Sequence, residues 1–217
     1  MILCENEPIT VVGNAALDLA DLNSAVSFAP ILVAADGGAD HLLQAGLIPA
    51  TVIGDLDSLT DRAREMFADR LHKIDEQDTT DFEKVILHTQ TPAIVGVGFL
   101  GGRLDHTMAA LNVLTRHVDR KIILIGEGAA VFAMRDQSLA LAVGTGAAVS
   151  VLPMERSVVS SKGLVWDMDN FEMHMSGTIS SSNRADADII QIDVKGCVVV
   201  TVPKAALSEV IAAVRGE

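Results

Sequence analysis

The sequence contains no tyrosine, one tryptophan and six phenylalanines, so aromatics make up only 3% of its 217 residues. Basic residues are also few: 16 Lys and Arg face 29 Asp and Glu, for a formal net charge of −13. No basic patch stands out, and nucleic acid is not an expected partner. The two cysteines, Cys4 and Cys197, lie far apart with no C-x-x-C pair. That argues against a zinc site or a disulfide framework and suits a reduced, cytoplasmic setting. The six histidines show no metal-ligand spacing. No apolar run is long enough to span a bilayer, and Met1–Glu7 has neither the basic start nor the apolar core of a signal peptide, so no membrane partner is expected. A Walker A sequence is also missing, which argues against a P-loop kinase.

Aliphatic residues are abundant, and a chain of this length can bury one large core or two modest ones. In the first part, the short, largely apolar runs Ile9–Val12, Ile31–Ala35, Thr51–Ile53, Ala93–Val97 and Lys121–Ile125 look like strands buried on both faces. Helical patterns alternate with them. Ala39–Ala45 stops at Gly46, with Pro49 beyond. Thr80-Asp81-Phe82-Glu83 forms a capping box ahead of Phe82, Val85, Ile86 and Thr89 at helical spacing, and His106–His117 turns Met108, Leu111 and Leu114 inward. This alternation predicts a mostly parallel α/β/α sandwich.

From about Ser138 the texture changes to short runs at brief intervals: Leu139–Val143, Ala147–Leu152, Leu164–Trp166, His174–Ile179, Ile189–Val194 and Cys197–Val202. These predict an antiparallel β-sandwich, with Lys195-Gly196 as a hairpin turn and Ala205–Val214 as a terminal helix. The expected domains are residues 1–136, α/β, and 137–217, β-sandwich.

Four acidic, glycine-bearing clusters are the chemistry-bearing feature: Asp36-Gly37-Gly38, Gly54-Asp55-Leu56-Asp57-Ser58, Gln77-Asp78-Thr79-Thr80-Asp81 and Gly101-Gly102-Arg103-Leu104-Asp105-His106. Three follow strand-like runs and the fourth opens a helix, so one edge of the sheet collects them, where ligands of open α/β sheets bind. Two carboxylates about 4 Å apart repel by roughly 4 kcal/mol at an effective dielectric of 20. A divalent cation relieves this, and oxygen-only ligands suit magnesium. Each cluster also has a plain reading: Asp36-Gly37-Gly38 as a turn, Asp78 as a turn residue, Asp81 as a favourable charge at a helix N-terminus, Arg103 as a surface charge. Asp55 and Asp57, an alternate-residue pair beside a glycine, are harder to dismiss, and the conjunction is stronger than any member. Gly96-Val97-Gly98-Phe99-Leu100-Gly101 also matches G-x-G-x-x-G. Against dinucleotide binding, Gly102-Arg103 delays the helix past the third glycine, and the nearest strand-end acid, Glu127, comes late for a ribose contact.

In this order, Ala35-Asp36-Gly37-Gly38-Ala39, Gly54–Ser58, Gln77–Lys84 and Gly102–His106 closely resemble the thiamine pyrophosphokinase family. Lys162-Gly163-Leu164-Val165-Trp166 resembles its G-L-x-W segment and Gly177–Asn183 its Ser-Asn segment, so the likeness spans nearly the whole chain. The resemblance implies transfer of a pyrophosphoryl group from ATP to thiamine, giving thiamine pyrophosphate and AMP, in a homodimer with active sites between subunits. It implies Asp55, Asp57, Asp81 and Asp105 as the catalytic acids, with Asp55, Asp57 and Asp81 on magnesium. Asp36, Gly37, Gly38, Gln77, Asp78, Thr80, Lys84, Arg103 and His106 become candidate nucleotide contacts, and Ser182 and Asn183 candidate thiamine contacts. Trp166 is read as a core or interface residue ahead of a stacking platform. Arg184 departs from the acid that bacterial relatives often carry after Ser-Asn. Two alternatives stay open: a pyrophosphokinase for another hydroxymethyl heterocycle such as a pterin, and a non-catalytic nucleotide or thiamine sensor.

Overall fold

The computed structural model describes residues 1–216, which divide into two compact units. The first comprises Met1–Val113 and Asp119–Glu127; the second comprises Leu114–Val118 and the chain from Gly128 on.

The first unit runs β1 (Leu3–Cys4), β2 (Ile9–Val12), α1 (Leu19–Phe28), β3 (Ile31–Ala35), α2 (Gly38–Gln44), β4 (Thr51–Gly54), α3 (Asp61–Met66), β5 (Leu71–Lys73), α4 (Asp81–His88), β6 (Thr89–Gln90), β7 (Ile94–Val97), α5 (Leu104–Arg116, whose end from Leu114 is counted in the second unit) and β8 (Ile122–Gly126). Six strands pair in parallel in the order β8-β7-β2-β3-β4-β5, and β1 pairs in parallel with β6. All residues of β2, β4 and β7 are buried, which explains their largely apolar runs. Each such Ile or Val contributes about 1.5–3 kcal/mol by leaving water. The chain builds outward from β2 to β5 and then returns to place β7 and β8 on the other side of β2. The topological switch point therefore lies between β2 and β7.

Helix starts follow the local chemistry. The Asp18 carboxylate caps α1, accepting from Ala20 N at 2.8 Å. Thr80 caps α4, its hydroxyl accepting from Glu83 N at 3.2 Å, an interaction of about 1 kcal/mol. Phe82, Val85 and Ile86 then turn into the core. In α5 the inward face is Ala110, Val113 and Leu114, whereas the expected Met108 is 45% exposed and Leu111 only half-buried.

The second unit contains β9 (Ala129–Arg135), β10 (Ser138–Ala142), β11 (Ala148–Pro153), β12 (Ser157–Lys162), β13 (Phe171–Met173), β14 (Ser180–Arg184), β15 (Ile189–Lys195), β16 (Cys197–Pro203) and α6 (Leu207–Arg215). The strands form two antiparallel groups, β14-β11-β16-β9 and β10-β15-β12-β13. In β15, Ile190, Ile192 and Val194 are buried while Ile189, Gln191, Asp193 and Lys195 face out. The mixed architecture, a parallel sheet first and antiparallel strands after it, is the one expected.

Three local expectations are corrected. Leu164–Trp166 is a loop with one isolated bridge from Leu164 to Ala185, and His174–Ile179 is mostly turn, the strand lying earlier at Phe171–Met173. Gly163, at φ 87°, immediately precedes the first run, and Gly177 interrupts the second. Lys195-Gly196 is not a hairpin turn, because β15 and β16 belong to different sheets. It is a corner, matched by the one at Asp136: Gly196 N donates to Asp136 Oδ1 at 2.8 Å, and Asp136 N to Gly196 O at 3.1 Å.

Candidate active site

Strand register assembles the acidic site. β3 and β4 pair with Ala35 opposite Ile53, so Asp36 emerges beside Gly54, and Asp36 N donates to Ile53 O at 2.9 Å. A Cβ on Gly54 would lie 2.7 Å from Asp36 Cβ and 3.1 Å from Asp81 Oδ1. Glycine at that position opens the space in which two carboxylates meet. The following turn, with Leu56 at φ 66°, folds back on the same acids. Asp55 N donates to Asp81 Oδ1 (3.4 Å), Asp57 N to Asp55 Oδ1 (3.2 Å) and Ser58 N to Asp36 Oδ2 (3.1 Å). The turn is fastened from outside by Arg64, whose guanidinium donates to Leu56 O at 2.5 Å, and by Asp40, which accepts from Thr60 N at 3.1 Å and from the Thr60 hydroxyl.

One carboxylate oxygen from each of Asp36, Asp55 and Asp57 lies within 4.8 Å of the other two. Asp36 is buried, and its Oδ1 has no hydrogen-bond partner. Burial pushes its carboxyl above the usual range, opposed by Ser58 and reinforced by the charges of Asp81 and Asp55. Gln77 has the opposite effect on Asp55, donating Nε2 to its Oδ2 at 3.2 Å and lowering its pKa. A buried carboxylate with two others beside it offers the oxygen-only ligands that suit a hard divalent cation. This trio differs from the expected one, Asp55, Asp57 and Asp81, in its first member. Asp81 stands beside it, with Lys84 Nζ at 3.1 Å from its Oδ1 and the Lys84 side chain only 2% exposed.

The remaining candidates fall in several places. Gly37 and Gly38 carry the chain into α2, and a Cβ at Gly38 would come 2.0 Å from Val12 O, so only glycine lets the helix start against β2. Thr80 is spent on its cap. Asp78 sits in an exposed turn whose backbone is held by Glu76, a residue the motif reading passed over. Arg103 and Asp105 form an exposed ion pair with each other, Nε to Oδ1 at 3.1 Å. That pairing lowers the Asp105 pKa and raises that of Arg103. Beside them on α5, His106 is exposed.

In the second unit, Ser182 is exposed on β14 at φ 57°. Asn183 is buried and both ends of its amide are engaged: Nδ2 donates to Trp166 O at 2.9 Å, while Oδ1 accepts from Trp166 N at 3.3 Å and Arg184 N at 2.8 Å. Asn183 therefore fixes the Trp166 backbone. The Trp166 side chain is 63% exposed, which removes the core reading. Asp167 holds the same loop, accepting from Ser161 Oγ and Leu164 N at 3.0 Å each.

The family model described as "Thiamin pyrophosphokinase, catalytic domain" matches residues 22–125, and "Thiamin pyrophosphokinase, vitamin B1 binding domain" matches residues 137–199. The chain is 29% identical to thiamine pyrophosphokinase 1 of Oryza sativa subsp. japonica over 206 residues, covering 76% of this chain and 78% of the relative. Among solved structures it superposes on the thiamin pyrophosphokinase of Candida albicans with a TM-score of 0.78 at 20% identity, covering 93% of this chain and 92% of the other. The Bacillus subtilis enzyme gives 0.77 at 21%, covering 91% and 99%. At such identities the superpositions establish the fold. With both family models matching in order and covering most of the sequence, the chain belongs to the thiamin pyrophosphokinase family.

Proposed function

We propose that this protein transfers the pyrophosphoryl group of ATP to the hydroxyl of thiamine, forming thiamine pyrophosphate and AMP. The observation that carries this reading is the carboxylate cluster at the ends of β3 and β4, inside a chain that matches both halves of the family. The pterin and sensor alternatives receive no support from those matches.

Asp36, Asp55 and Asp57 would hold Mg2+, with Asp81 beside them. Bound there, the ion supplies positive charge that neutralises phosphate oxygens and fixes their orientation. The chain contributes alignment and charge. Lys84, buried and cationic, fixes Asp81 and adds positive charge close to the phosphates. Gly38 lets backbone approach where a side chain would block it. The thiamine hydroxyl attacks the β-phosphorus, the bond to the α-phosphate bridging oxygen breaks, and AMP leaves. Asp81 and Asp105 are the carboxylates that could accept the hydroxyl proton, the first paired with Lys84 and the second with Arg103.

In the second unit, Ser182 offers an exposed hydroxyl to an aminopyrimidine edge, while Asn183 acts on the Trp166 loop rather than directly on substrate. A homodimer and a cytoplasmic location belong to this proposal; light scattering on the purified protein and localisation of a tagged full chain test them. The reaction is tested by incubating protein with ATP, Mg2+ and thiamine and resolving products by chromatography, with a magnesium-free control. AMP with thiamine pyrophosphate supports the assignment. ADP with thiamine monophosphate would place the attack at the γ-phosphorus, and absence of product despite ATP binding would remove thiamine as acceptor.

A further inference from the structure

The turn between β4 and α3 carries two of the three clustered carboxylates, Asp55 and Asp57, and the residue between them is Leu56. Its φ is 66°, a left-handed conformation that is unfavourable for any residue with a Cβ and persists only where the surroundings impose it. Because Leu56 stands between the two acids, its backbone angles fix one carboxylate relative to the other. A glycine would adopt the same angles without strain but would leave the turn free to open. Leucine is held instead, its side chain buried and the residue only 5% exposed.

The bonds that hold this turn are of two kinds. Those from Asp57 N to Asp55 and from Ser58 N to Asp36 end on acids that would ligate a cation, so binding competes with them for oxygen lone pairs. The other kind uses no ligand. Arg64, on α3, donates from its guanidinium to Leu56 O at 2.5 Å and so grips the strained residue itself. Asp40, on α2, accepts from Thr60 N at 3.1 Å and from the Thr60 hydroxyl, which in turn accepts from Ala63 N at 3.2 Å at the start of α3. Both anchors stand on packed helices: Ala63 and Phe67 bury one face of α3 and its end, and Ala39 and Leu42 bury one face of α2. A turn set in this way before a cation arrives is spared the ordering cost that a loose one meets on binding. Charge alone would give Arg64 the opposite effect. A guanidinium on the turn that carries the carboxylates competes with a cation, so by Coulomb's law its removal should tighten metal binding.

We propose that Arg64 is a positioning residue for the metal site: by holding Leu56 in its left-handed conformation, while Asp40 and Thr60 hold the far end of the turn, it keeps Asp55 and Asp57 converged on the cation. This inference rests on the Mg2+ reading above. It is tested on the intact chain, without turnover, by titrating Mn2+, which also suits oxygen ligands, and following the electron paramagnetic resonance of the free ion. Arg64→Ala should weaken Mn2+ binding roughly tenfold or more, the scale of loss when a group that orients metal ligands is removed. Thr60→Val, which removes the hydroxyl without changing charge, should shift affinity in the same direction. Arg64 is exposed, so its replacement leaves the core packed. Melting in EDTA separates a structural role from a positioning one: a lower melting temperature with wild-type Mn2+ affinity would make Arg64 a structural residue only and overturn the proposal. Tighter Mn2+ binding by Arg64→Ala, the electrostatic outcome, would overturn it too. Should Arg64→Ala fail to fold, Thr60→Val decides, and wild-type Mn2+ affinity there would count against the proposal. No Mn2+ binding by wild type would refute the metal reading itself, and the positioning role with it.

Discussion

Replacing Asp36 by Asn should make the metal-free protein more stable and the metal-loaded protein less so. Asp36 places a buried carboxylate, one of whose oxygens has no hydrogen-bond partner, near Asp55 and Asp57. At the 4.8 Å limit of that grouping, each pair of charges repels by about 3 kcal/mol at an effective dielectric of 20. Asp55 is half-buried and Asp57 exposed, so solvent screening reduces the net effect to about 1–2 kcal/mol. Asparagine keeps the acceptor for Ser58 N and turns the orphaned oxygen into a donor that the neighbouring carboxylates can accept. For a chain of this length each kcal/mol is worth about 2–4 °C in Tm, so the apo variant should melt about 2–8 °C higher.

Magnesium should reverse the order. Saturating a site a hundredfold above its Kd stabilises the wild type by about 2.7 kcal/mol, and the variant, missing the buried ligand, should gain little of this. Differential scanning calorimetry in EDTA and in excess Mg2+ measures both halves. A lower apo Tm for Asp36→Asn, or a magnesium-dependent rise equal to that of wild type, would show that Asp36 is a structural acid rather than a ligand.

The other expectations are briefer. Gly54→Ala must displace Asp36 or Asp81, a crowding of about 1–3 kcal/mol, and should raise the Mg2+ concentration needed for half-maximal turnover; an unchanged requirement would contradict the packing. Lys84→Met leaves Asp81 without its buried partner and should lower stability by about 2–3 kcal/mol, less than for a fully buried pair because the Asp81 side chain is 33% exposed; urea denaturation reads it. Asn183→Ala removes a bidentate tie to the Trp166 backbone and should lower the anisotropy of the sole tryptophan, whereas wild-type anisotropy would mean that other contacts hold the loop. Cys4 is exposed, while Cys197 is buried with its thiol pushed up by burial, so a thiol reagent should modify one group quickly and the second only on unfolding.

Much of this was legible in the sequence because strands buried on both faces announce themselves. The runs at Ile9–Val12 and Ile31–Ala35 coincide with β2 and β3 residue for residue. What stayed hidden is informative. β12, Ser157–Lys162, mixes serine with valine and buries two of its serines, Ser157 bonding to the Cys197 carbonyl at 3.1 Å and Ser161 to Asp167 at 3.0 Å. Its polar residues conceal a core strand. β14 carries Ser180–Arg184, part of which the family resemblance singled out as a substrate segment and whose polarity hid a strand. Lys195-Gly196 has hairpin composition, but which sheet receives the next strand depends on pairings some 60 residues away, as the Gly196–Asp136 bond shows.

At the active site the same distinction applies more sharply. A motif fixes which residues are present, but strand register fixes which of them meet. Asp36 looks like a turn residue in Asp36-Gly37-Gly38, and only the pairing of Ala35 with Ile53 sets it against Gly54 and hence against Asp55 and Asp81. Asp105 looks equivalent to the other acids, yet at the start of α5 it is neutralised by Arg103 two residues away, so it enters the site as half of an ion pair. Glu127 lies 26 residues past Gly101, too far for a sequence rule, but β7 and β8 are parallel neighbours and their carboxyl ends therefore lie side by side. In a parallel sheet every strand delivers its terminal residue to the same edge. Acids scattered from Asp36 to Glu127 reach a common edge for that reason, and strand order decides which of them are neighbours.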